Sequence, residues 1–473
     1  MAGVLQKVAV CGAGAMGSGI AQVAAQSGAH VRVFDVNADA LALSHTRTTA
    51  EIEKLVSRGK LAKEEGADLL GRMEWVSKLD ALSDRDLVVE AIIEDAAIKA
   101  RLFAQVEDIV APGAVIATNT SSIPVGRLAR QLRHPDRFVG MHFFNPATVM
   151  KLVEVIPGPA TPPSVVERVL AAAKSWGKVG IRVADVPGFI VNRVARPFYA
   201  EAFVAWNEGA ATPATIDALF RGAGFRMGPL ELTDLIGQDV NFAVARSVFD
   251  SYFGRTRFVP QVRQAALVDA GWYGRKTKRG VYDYSEGAAT AEPEAALPPA
   301  IRQEHQEAAR ELETAAPGEF VRCGDTFIGT TRGLPAIDEA RALNAPVALL
   351  DWSNGDGTGP IGYALSDESA LDAVAGTLAA GAKVGCEVTD RPGLIVARTL
   401  AQIANAAADA VLEKVADESE IDSALRFGAN YPFGPFAWAH QYGRAGLIKL
   451  LDAIAEGTGE AIYRPSYYLR NTA

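Results

Sequence analysis

Along the first third of the chain, short apolar runs alternate with helical repeats, the rhythm that builds a mostly parallel sheet with helices on its faces. Lys7-Val-Ala-Val-Cys11 predicts a strand, the small-residue stretch carrying Ile20, Val23 and Ala24 predicts a helix through Gln26, and His30-Val-Arg-Val-Phe34 predicts a second strand. Ala38 to Leu70 then reads as helical, Asp86 to Ile93 as strand, the stretch to Val110 as helix, and Gly113 to Ala117 as strand again. Arg137 to Pro146 predicts a strand that ends in a turn, and Met150 to Ile156 another directly after it. At Asp185-Val-Pro-Gly188 the alternation stops. Helical patterns follow from Phe189 to Trp206, from Thr212 (N-cap) and Pro213 (first helical position) onward, and through Phe253 and Ala270.

The first strand feeds Gly12-Ala-Gly14-Ala-Met-Gly17 at the spacing G-x-G-x-x-G, and a helix and a second strand follow. Gly12 permits the tight turn, Gly14 lets the backbone approach a pyrophosphate, and Gly17 lets helix pack on strand; the helix N-terminus offers free N–H groups to the anion. Asp35, eighteen residues beyond Gly17 at the end of the second strand, accepts hydrogen bonds from a ribose hydroxyl and repels a 2′-phosphate, so NAD is expected rather than NADP.

Ser285 to Arg310 is rich in Ala, Glu and Pro and reads as a linker. After it the sequence repeats itself. Val183-Ala-Asp185-Val-Pro187-Gly188 returns 205 residues later as Val388-Thr-Asp390-Arg-Pro392-Gly393, Ile216-Asp217 returns at the same offset as Ile421-Asp422, and Gly228-Pro229 returns 206 residues later as Gly434-Pro435. Between the copies, Phe320 to Gly385 reads as a reduced α/β stretch with strand-like Phe320 to Cys323 and Pro346 to Asp351. The expected organisation is an α/β Rossmann-type NAD-binding domain over residues 1–184, an all-α C-terminal domain over 185–285, a linker over 286–318, a degenerate α/β segment over 319–385, and a duplicated all-α domain over 386–473. Gly357-Thr-Gly359-Pro-Ile-Gly362 also fits the glycine spacing, but Pro360 stiffens the turn and removes an N–H, and neither a small-residue helix nor a terminal acid follows. A second nucleotide site is therefore not expected there.

The length of 473 residues suggests three or four units at ~100–200 residues per domain. A net charge of −9 without a basic tail argues against a nucleic-acid surface. The three cysteines, Cys11, Cys323 and Cys386, have no metal-type spacing and fit a reducing cytoplasm, and no run approaches the ~20 apolar residues of a membrane span.

Candidate chemistry gathers at strand ends. Ser121, in Thr118-Asn-Thr-Ser-Ser122, is either a ligand contact or the N-cap of a helix from Val125 to Leu132. His142 and Glu154 are twelve residues apart on two strands joined by a turn, which can set them side by side. Lys54 and Arg58 share a helix face, with Lys60 and Lys63 beyond; they form either a solvated face or a site for the phosphates of a large substrate.

Gly12-Ala-Gly-Ala-Met-Gly17, Asn119-Thr-Ser-Ser122, His142-Phe-Phe-Asn-Pro146, Lys151-Leu-Val-Glu154 and Pro187-Gly-Phe-Ile-Val-Asn-Arg193 together resemble the 3-hydroxyacyl-CoA dehydrogenase family over residues 5 to 285, and again, as a second C-terminal domain, over 386 to 473. The tandem layout without a fused hydratase is similar to the 3-hydroxyadipyl-CoA dehydrogenases of phenylacetate breakdown. The resemblance implies NAD-dependent oxidation of a 3-hydroxyacyl-CoA, such as 3-hydroxyadipyl-CoA or a short-chain substrate like 3-hydroxybutyryl-CoA. It implies His142 as general base with Glu154 as its partner, and Ser121 and Asn192 at the substrate oxygens. Gly12, Gly14, Ala15, Met16, Gly17, Asp35, Glu94, Lys99, Asn145 and, more loosely, Lys278 are implied around the cofactor, with Lys54, Arg58 and Lys60 near the CoA nucleotide. In single-copy members the helical domain is implied to form the dimer contact, so the second copy is expected to act as an internal pseudo-dimer partner, with higher oligomers left open. The second copy departs from the pattern: Asn192-Arg193 becomes Ala397-Arg398, and nothing there matches His142 or Glu154.

The chemistry asks for these groups. Oxidising a secondary alcohol needs a base for the hydroxyl proton while hydride leaves carbon, and a histidine titrating near neutrality serves both directions. Two other classes remain: a dehydrogenase of a free hydroxy or sugar acid on the same scaffold, and a non-catalytic dinucleotide-binding protein.

Overall fold

The computed structural model describes residues 5–296, 298–354, 357 and 359–471. They fall into two units, Met1–Val191 with Lys414–Ala429, and Asn192–Glu413 with Asn430–Ala473.

The first unit is built on β1 (Lys7–Cys11), β2 (His30–Phe34), β3 (Met73–Val76), β4 (Leu87–Glu90), β5 (Val115–Thr118), β6 (Phe138–Phe143), β7 (Leu152–Pro157) and β8 (Val179–Arg182), in the sheet order β3-β2-β1-β4-β5-β6-β7-β8. Strands β3 through β6 are parallel, β7 is antiparallel to β6, and β8 is parallel to β7. Val8 to Cys11, Leu87 to Glu90 and Phe138 to Phe143 are buried throughout, the signature of a sheet covered on both faces. Its helices are α1 (Ala15–Gln26), α2 (Ala38–Ser57), α3 (Lys63–Gly71), α4 (Ala96–Ile109), α5 (Val125–Ala129) and α6 (Pro163–Ser175). Asn37 and Asp95 cap α2 and α4 by accepting backbone N–H bonds, which fixes where each helix begins. The strand order reverses between β1 and β4, so the Gly12–Gly17 turn opens where doubly wound sheets take their ligands.

The second unit takes up the chain within α7 (Val191–Val194) and continues through α8 (Arg196–Asn207), α9 (Pro213–Gly222), α10 (Pro229–Ile236), α11 (Gln238–Ser251), α12 (Val262–Asp269) and α13 (Gln303–Leu312). As expected, Thr212 caps α9 with Pro213 at its first position. A second sheet follows in the order β13-β12-β11-β10-β9, from β9 (Phe320–Cys323), β10 (Thr326–Thr330), β11 (Val347–Leu350), β12 (Ile361–Leu365) and β13 (Gly385–Glu387). With it go α14 (Ala336–Leu343), α15 (Leu371–Ala380) and α16 (Val396–Leu412). The alanine-rich α16 is buried almost all round and packs along α8. Then α17 (Glu418–Gly428) returns to the first unit, and α18 (Pro435–Tyr442), α19 (Arg444–Thr458) and α20 (Tyr467–Asn471) complete the second.

Several expectations need correction. The stretch 286–318 is not all linker, because α13 lies within it and buries His305, Ala308 and Ala309 against α15. The segment after it holds five strands rather than the two named; β10, β12 and β13 are short or carry glycine, which weakens their sequence signal. Strand β13 crosses the expected boundary at 385/386, and Lys414–Ala429 belongs with the first unit rather than with the helices around it. There α17 packs on β7 closely enough that a Cβ on Gly428 would come within 2.5 Å of Leu152 Cδ2. The glycines of the second G-x-G-x-x-G serve chain packing: a Cβ on Gly357 would meet the Gly222 carbonyl oxygen at 1.8 Å, and one on Gly359 the Ala218 oxygen at 2.2 Å. Thr358 of that motif lies outside the described residues. No helix among the described residues is long and apolar enough to cross a membrane.

Candidate active site

At the turn after β1, Gly12 has φ +112, and a Cβ on it would sit 2.5 Å from the Ala91 oxygen. One on Gly17 would sit 1.9 Å from the Gly12 oxygen, so α1 can leave the sheet only with glycine there. The position a Cβ would take on exposed Gly14 has nothing within 4 Å, an open approach that fits a pyrophosphate beside Ala15 and Met16 at the start of α1. Asp35 ends β2 half-buried, its Oδ2 accepting the Ala13 N–H at 2.8 Å and its Oδ1 the Asn37 N–H at 2.9 Å. The acid is thus locked to the turn it serves. Val36 and Ile93, exposed apolar side chains just past the β2 and β4 ends, flank this corner; the sequence reading passed over them because a lone apolar residue in a loop carries no pattern.

His142 on β6 and Glu154 on β7 are direct partners in the antiparallel ladder. Nδ1 of His142 lies 2.7 Å from Glu154 Oε2, with side-chain exposures of 7% and 1%. Oε1 of Glu154 accepts the N–H groups of Ile190 and Val191 at 2.9 and 3.2 Å, so both carboxylate oxygens of this buried group are satisfied. An ionised carboxylate only accepts, which assigns the proton to Nδ1 and leaves the lone pair of Nε2 as the basic atom. The rings of Phe144 and Phe189 stand 4.6 and 5.6 Å from the imidazole and limit its rotation.

Beside it, Glu94 gathers the loop after β5. Its Oε1 accepts from Thr120 Oγ1 at 2.6 Å, from the Ser121 and Ser122 N–H groups at 2.9 and 3.1 Å, and from Ser122 Oγ at 3.0 Å, with Ser121 Oγ at 3.5 Å. Lys99, 1% exposed, pairs with Glu90 at 2.6 Å and Glu94 at 3.0 Å. Burial pushes Glu94 upward, but the Lys99 charge and these hydrogen bonds outweigh it and hold the carboxyl down to about 2. Glu90, deeper, is raised by burial against Lys99 and a hydrogen bond from Thr118. Asn119 Oδ1 accepts the Phe143 N–H at 2.8 Å and ties the same loop to the strand that carries His142. Ser121 is not a helix cap: Asp185 caps α5 through the N–H groups of Val125 and Gly126. Glu90, Asn119 and Asp185 were missed as structural players, although a carboxylate inside the apolar run Leu87-Val-Val-Glu90 was a signal.

The remaining candidates sit apart. Asn145 is exposed beyond β6. Lys54, Arg58 and Lys60 are exposed along the end of α2 and the turn after it, with no ion pair among the described residues. Asn192, half-buried on α7, and Lys278, exposed with φ +59, belong to the second unit.

A doubly wound sheet with a dinucleotide turn, an acid ending β2 and a buried histidine–carboxylate pair fits an NAD-dependent oxidoreductase. The model of the 3-hydroxyacyl-CoA dehydrogenase NAD binding domain matches residues 7–186, and that of the 3-hydroxyacyl-CoA dehydrogenase C-terminal domain matches 188–284 and 393–473. The chain belongs to the 3-hydroxyacyl-CoA dehydrogenase family. It is 42% identical over 474 residues to a 3-hydroxyadipyl-CoA dehydrogenase of Escherichia coli (strain K12), covering 99% of this chain and 98% of the other. A crystal structure of 3-hydroxybutyryl-CoA dehydrogenase from Escherichia coli K12 substr. MG1655 is similar with a TM-score of 0.90 and 40% identity, over 98% of each chain. A probable 3-hydroxybutyryl-CoA dehydrogenase of Bacillus subtilis (strain 168) is 39% identical over 60% of this chain and 98% of its own length.

Proposed function

We propose that this NAD-dependent 3-hydroxyacyl-CoA dehydrogenase acts on a short acyl group, 3-hydroxyadipyl or 3-hydroxybutyryl in type, with His142 as general base. The buried pair of His142 and Glu154 carries the reading. Nε2 of His142 takes the hydroxyl proton as the carbon oxygen bond becomes a carbonyl, and Glu154 stabilises the imidazolium that results. NAD bound along the Gly12–Gly17 turn supplies the acceptor for the hydride that leaves the same carbon. Ser121 and Asn192 are proposed as donors to the substrate oxygens, where charge shifts during the reaction. Glu94, with Lys99 and Glu90 behind it, positions the Ser121 loop, while Asn145 and Lys278 are proposed at the cofactor. The exposed cations Lys54, Arg58 and Lys60 are assigned to the CoA nucleotide.

We also propose that the second unit contains a degenerate copy of the end of the first sheet and a second copy of the helical domain, joined as an internal pseudo-dimer. Matches of one C-terminal domain model to two stretches support this. So does a repeated device: Asp390 accepts the N–H groups of Ala336 and Ile337 at the start of α14 as Asp185 does at α5. By register, Asp351 stands at the His142 position and Gly362 at the Glu154 position, and the Asp351 carboxylate takes the N–H groups of Ile395, Val396 and Ala397. The chemistry is gone while the anchoring of the helix persists. An arginine of each helical stretch meets a carboxylate of the other: Arg193 pairs with Glu413 at 2.7 Å, and its repeat counterpart Arg398 with Glu201 at 3.0 Å. Three free, buried cysteines agree with a cytoplasmic setting.

A panel of 3-hydroxyacyl-CoAs followed by NADH absorbance tests the substrate reading. Turnover is expected with six-carbon or shorter chains, and a preference for long chains contradicts it.

A further inference from the structure

Arg196 opens α8 at its first helical position and is 8% exposed. The other buried arginines of this unit meet carboxylates, as does the largely covered Arg257: Arg193 pairs with Glu413, Arg398 with Glu201, Arg391 with Glu208, and Arg257 with Asp409. Arg196 has no such partner among the described residues. Its guanidinium lies 4.9 Å over the Tyr199 ring, Nη1 reaches the Asn241 carbonyl only at 3.5 Å, and Nε has no acceptor at all. Burial disfavours its charge, and only the hydroxyls of Tyr199 and Tyr431 favour it. Tyr431 is 6% exposed, tilted against Phe198 and edge-on to Phe225, and its hydroxyl is also without a hydrogen-bond partner.

A buried guanidinium without a carboxylate and with its Nε unsatisfied, beside a buried phenol whose hydroxyl has no partner, is an incomplete arrangement. Uncompensated groups of this kind are costly, and the missing element is an anion with hydrogen-bond acceptors. Planar, forked donors suit a carboxylate. Arg196 follows Asn192 by four residues, with Ala195 in right-handed helical conformation between α7 and α8, so the two backbones stand roughly one turn, about 6 Å, apart. In a dicarboxylic acyl chain such as 3-hydroxyadipyl, the second carboxylate stands three carbons beyond the hydroxyl-bearing carbon, a comparable span.

We propose that Arg196, with the Tyr431 hydroxyl, receives the terminal carboxylate of a dicarboxylic 3-hydroxyacyl-CoA and selects it over acyl chains that end in methyl. The inference rests on the 3-hydroxyacyl-CoA reading and on Asn192 serving the substrate. It gives the second helical copy a part in specificity, because Tyr431 comes from it.

The test compares 3-hydroxyadipyl-CoA with 3-hydroxyhexanoyl-CoA, which has the same carbon count but a methyl end. The wild type favours the adipyl substrate in kcat/KM. Arg196→Met lowers the adipyl-to-hexanoyl ratio by about 10²-fold or more, chiefly through KM, and Tyr431→Phe, which keeps the ring, lowers it roughly 5-fold. Arg196→Lys, which keeps charge without the fork, falls between wild type and Arg196→Met. Equal losses on both substrates make Arg196 a packing residue and overturn the proposal, as does a wild type without preference. Should Arg196→Met fail to fold, Tyr431→Phe and Arg196→Lys decide by the same ratio. Failure of the underlying reading looks different, since the wild type then oxidises neither thioester.

Discussion

His142 and Glu154 face each other across the one antiparallel junction of the first sheet, with Nδ1 2.7 Å from Oε2. The pairing fixes the imidazole so that Nε2 is the atom with a free lone pair, and the two backbone N–H groups on Oε1 keep the carboxylate from turning away. His142→Gln should therefore lower turnover by about two to four decades, the usual worth of a general base, while NAD affinity barely changes. Near wild-type turnover in a folded variant removes His142 from the mechanism.

Asp35 is expected to set cofactor choice. Its two oxygens hold the Ala13 and Asn37 N–H groups, so the carboxylate is presented at a fixed place rather than swinging in solvent. Asp35→Ser should weaken NAD binding and narrow the gap to NADP, because the ribose loses its acceptor and a 2′-phosphate is no longer repelled. Titration of both cofactors by fluorescence checks this, and a wild type that prefers NADP contradicts it.

Glu94 carries a pH signature. Its carboxyl is held at about 2 in the folded chain against an ordinary 4.5. A depressed carboxylate stabilises the fold above the unfolded value and loses that contribution as pH falls through the folded one. Glu94→Gln should therefore be less stable than wild type above about pH 5, with the gap closing toward pH 2. Denaturant midpoints across that range decide, and a gap independent of pH shows that charge is not what Glu94 contributes.

How much of this was legible in the sequence depends on how far each contact reaches. The dinucleotide turn is local, so Gly12, Gly14, Gly17 and Asp35 could be read from spacing alone. His142 and Glu154 could be paired because a hairpin turns twelve residues into a cross-strand neighbour. The cap of α5 by Asp185 joins residues 60 apart, and Lys99 turns inward to Glu90; neither follows from any period. Helix α13 lay hidden in a polar, proline-flanked stretch whose inward face is Ala308, Ala309, Leu312 and a histidine. The association of α17 with the first unit is invisible to a repeat, which carries a copy's sequence but not its neighbours. For Arg196 the informative fact is a missing partner, and sequence shows only what is present.

That association sharpens the expectation for a shortened chain. A protein ending near Pro298 loses both α16, which packs along α8, and α17, which packs on β7 at Leu152. It should dimerise or aggregate, since an apolar face of α8 is uncovered. Light scattering with parallel kinetics measures this, and a soluble, fully active monomer shows that the chain beyond Pro298 covers nothing.

The central claim is oxidation of a 3-hydroxyacyl-CoA by NAD at His142. Its most direct test is NADH formation by the full-length chain with a 3-hydroxyacyl-CoA, with the matching free 3-hydroxy acid, and with the thioester again in the His142→Gln variant. The account predicts turnover on the thioester, little on the acid, and loss of about two to four decades in the variant. Turnover on the free acid as fast as on the thioester, or NAD binding with no turnover on either, contradicts it.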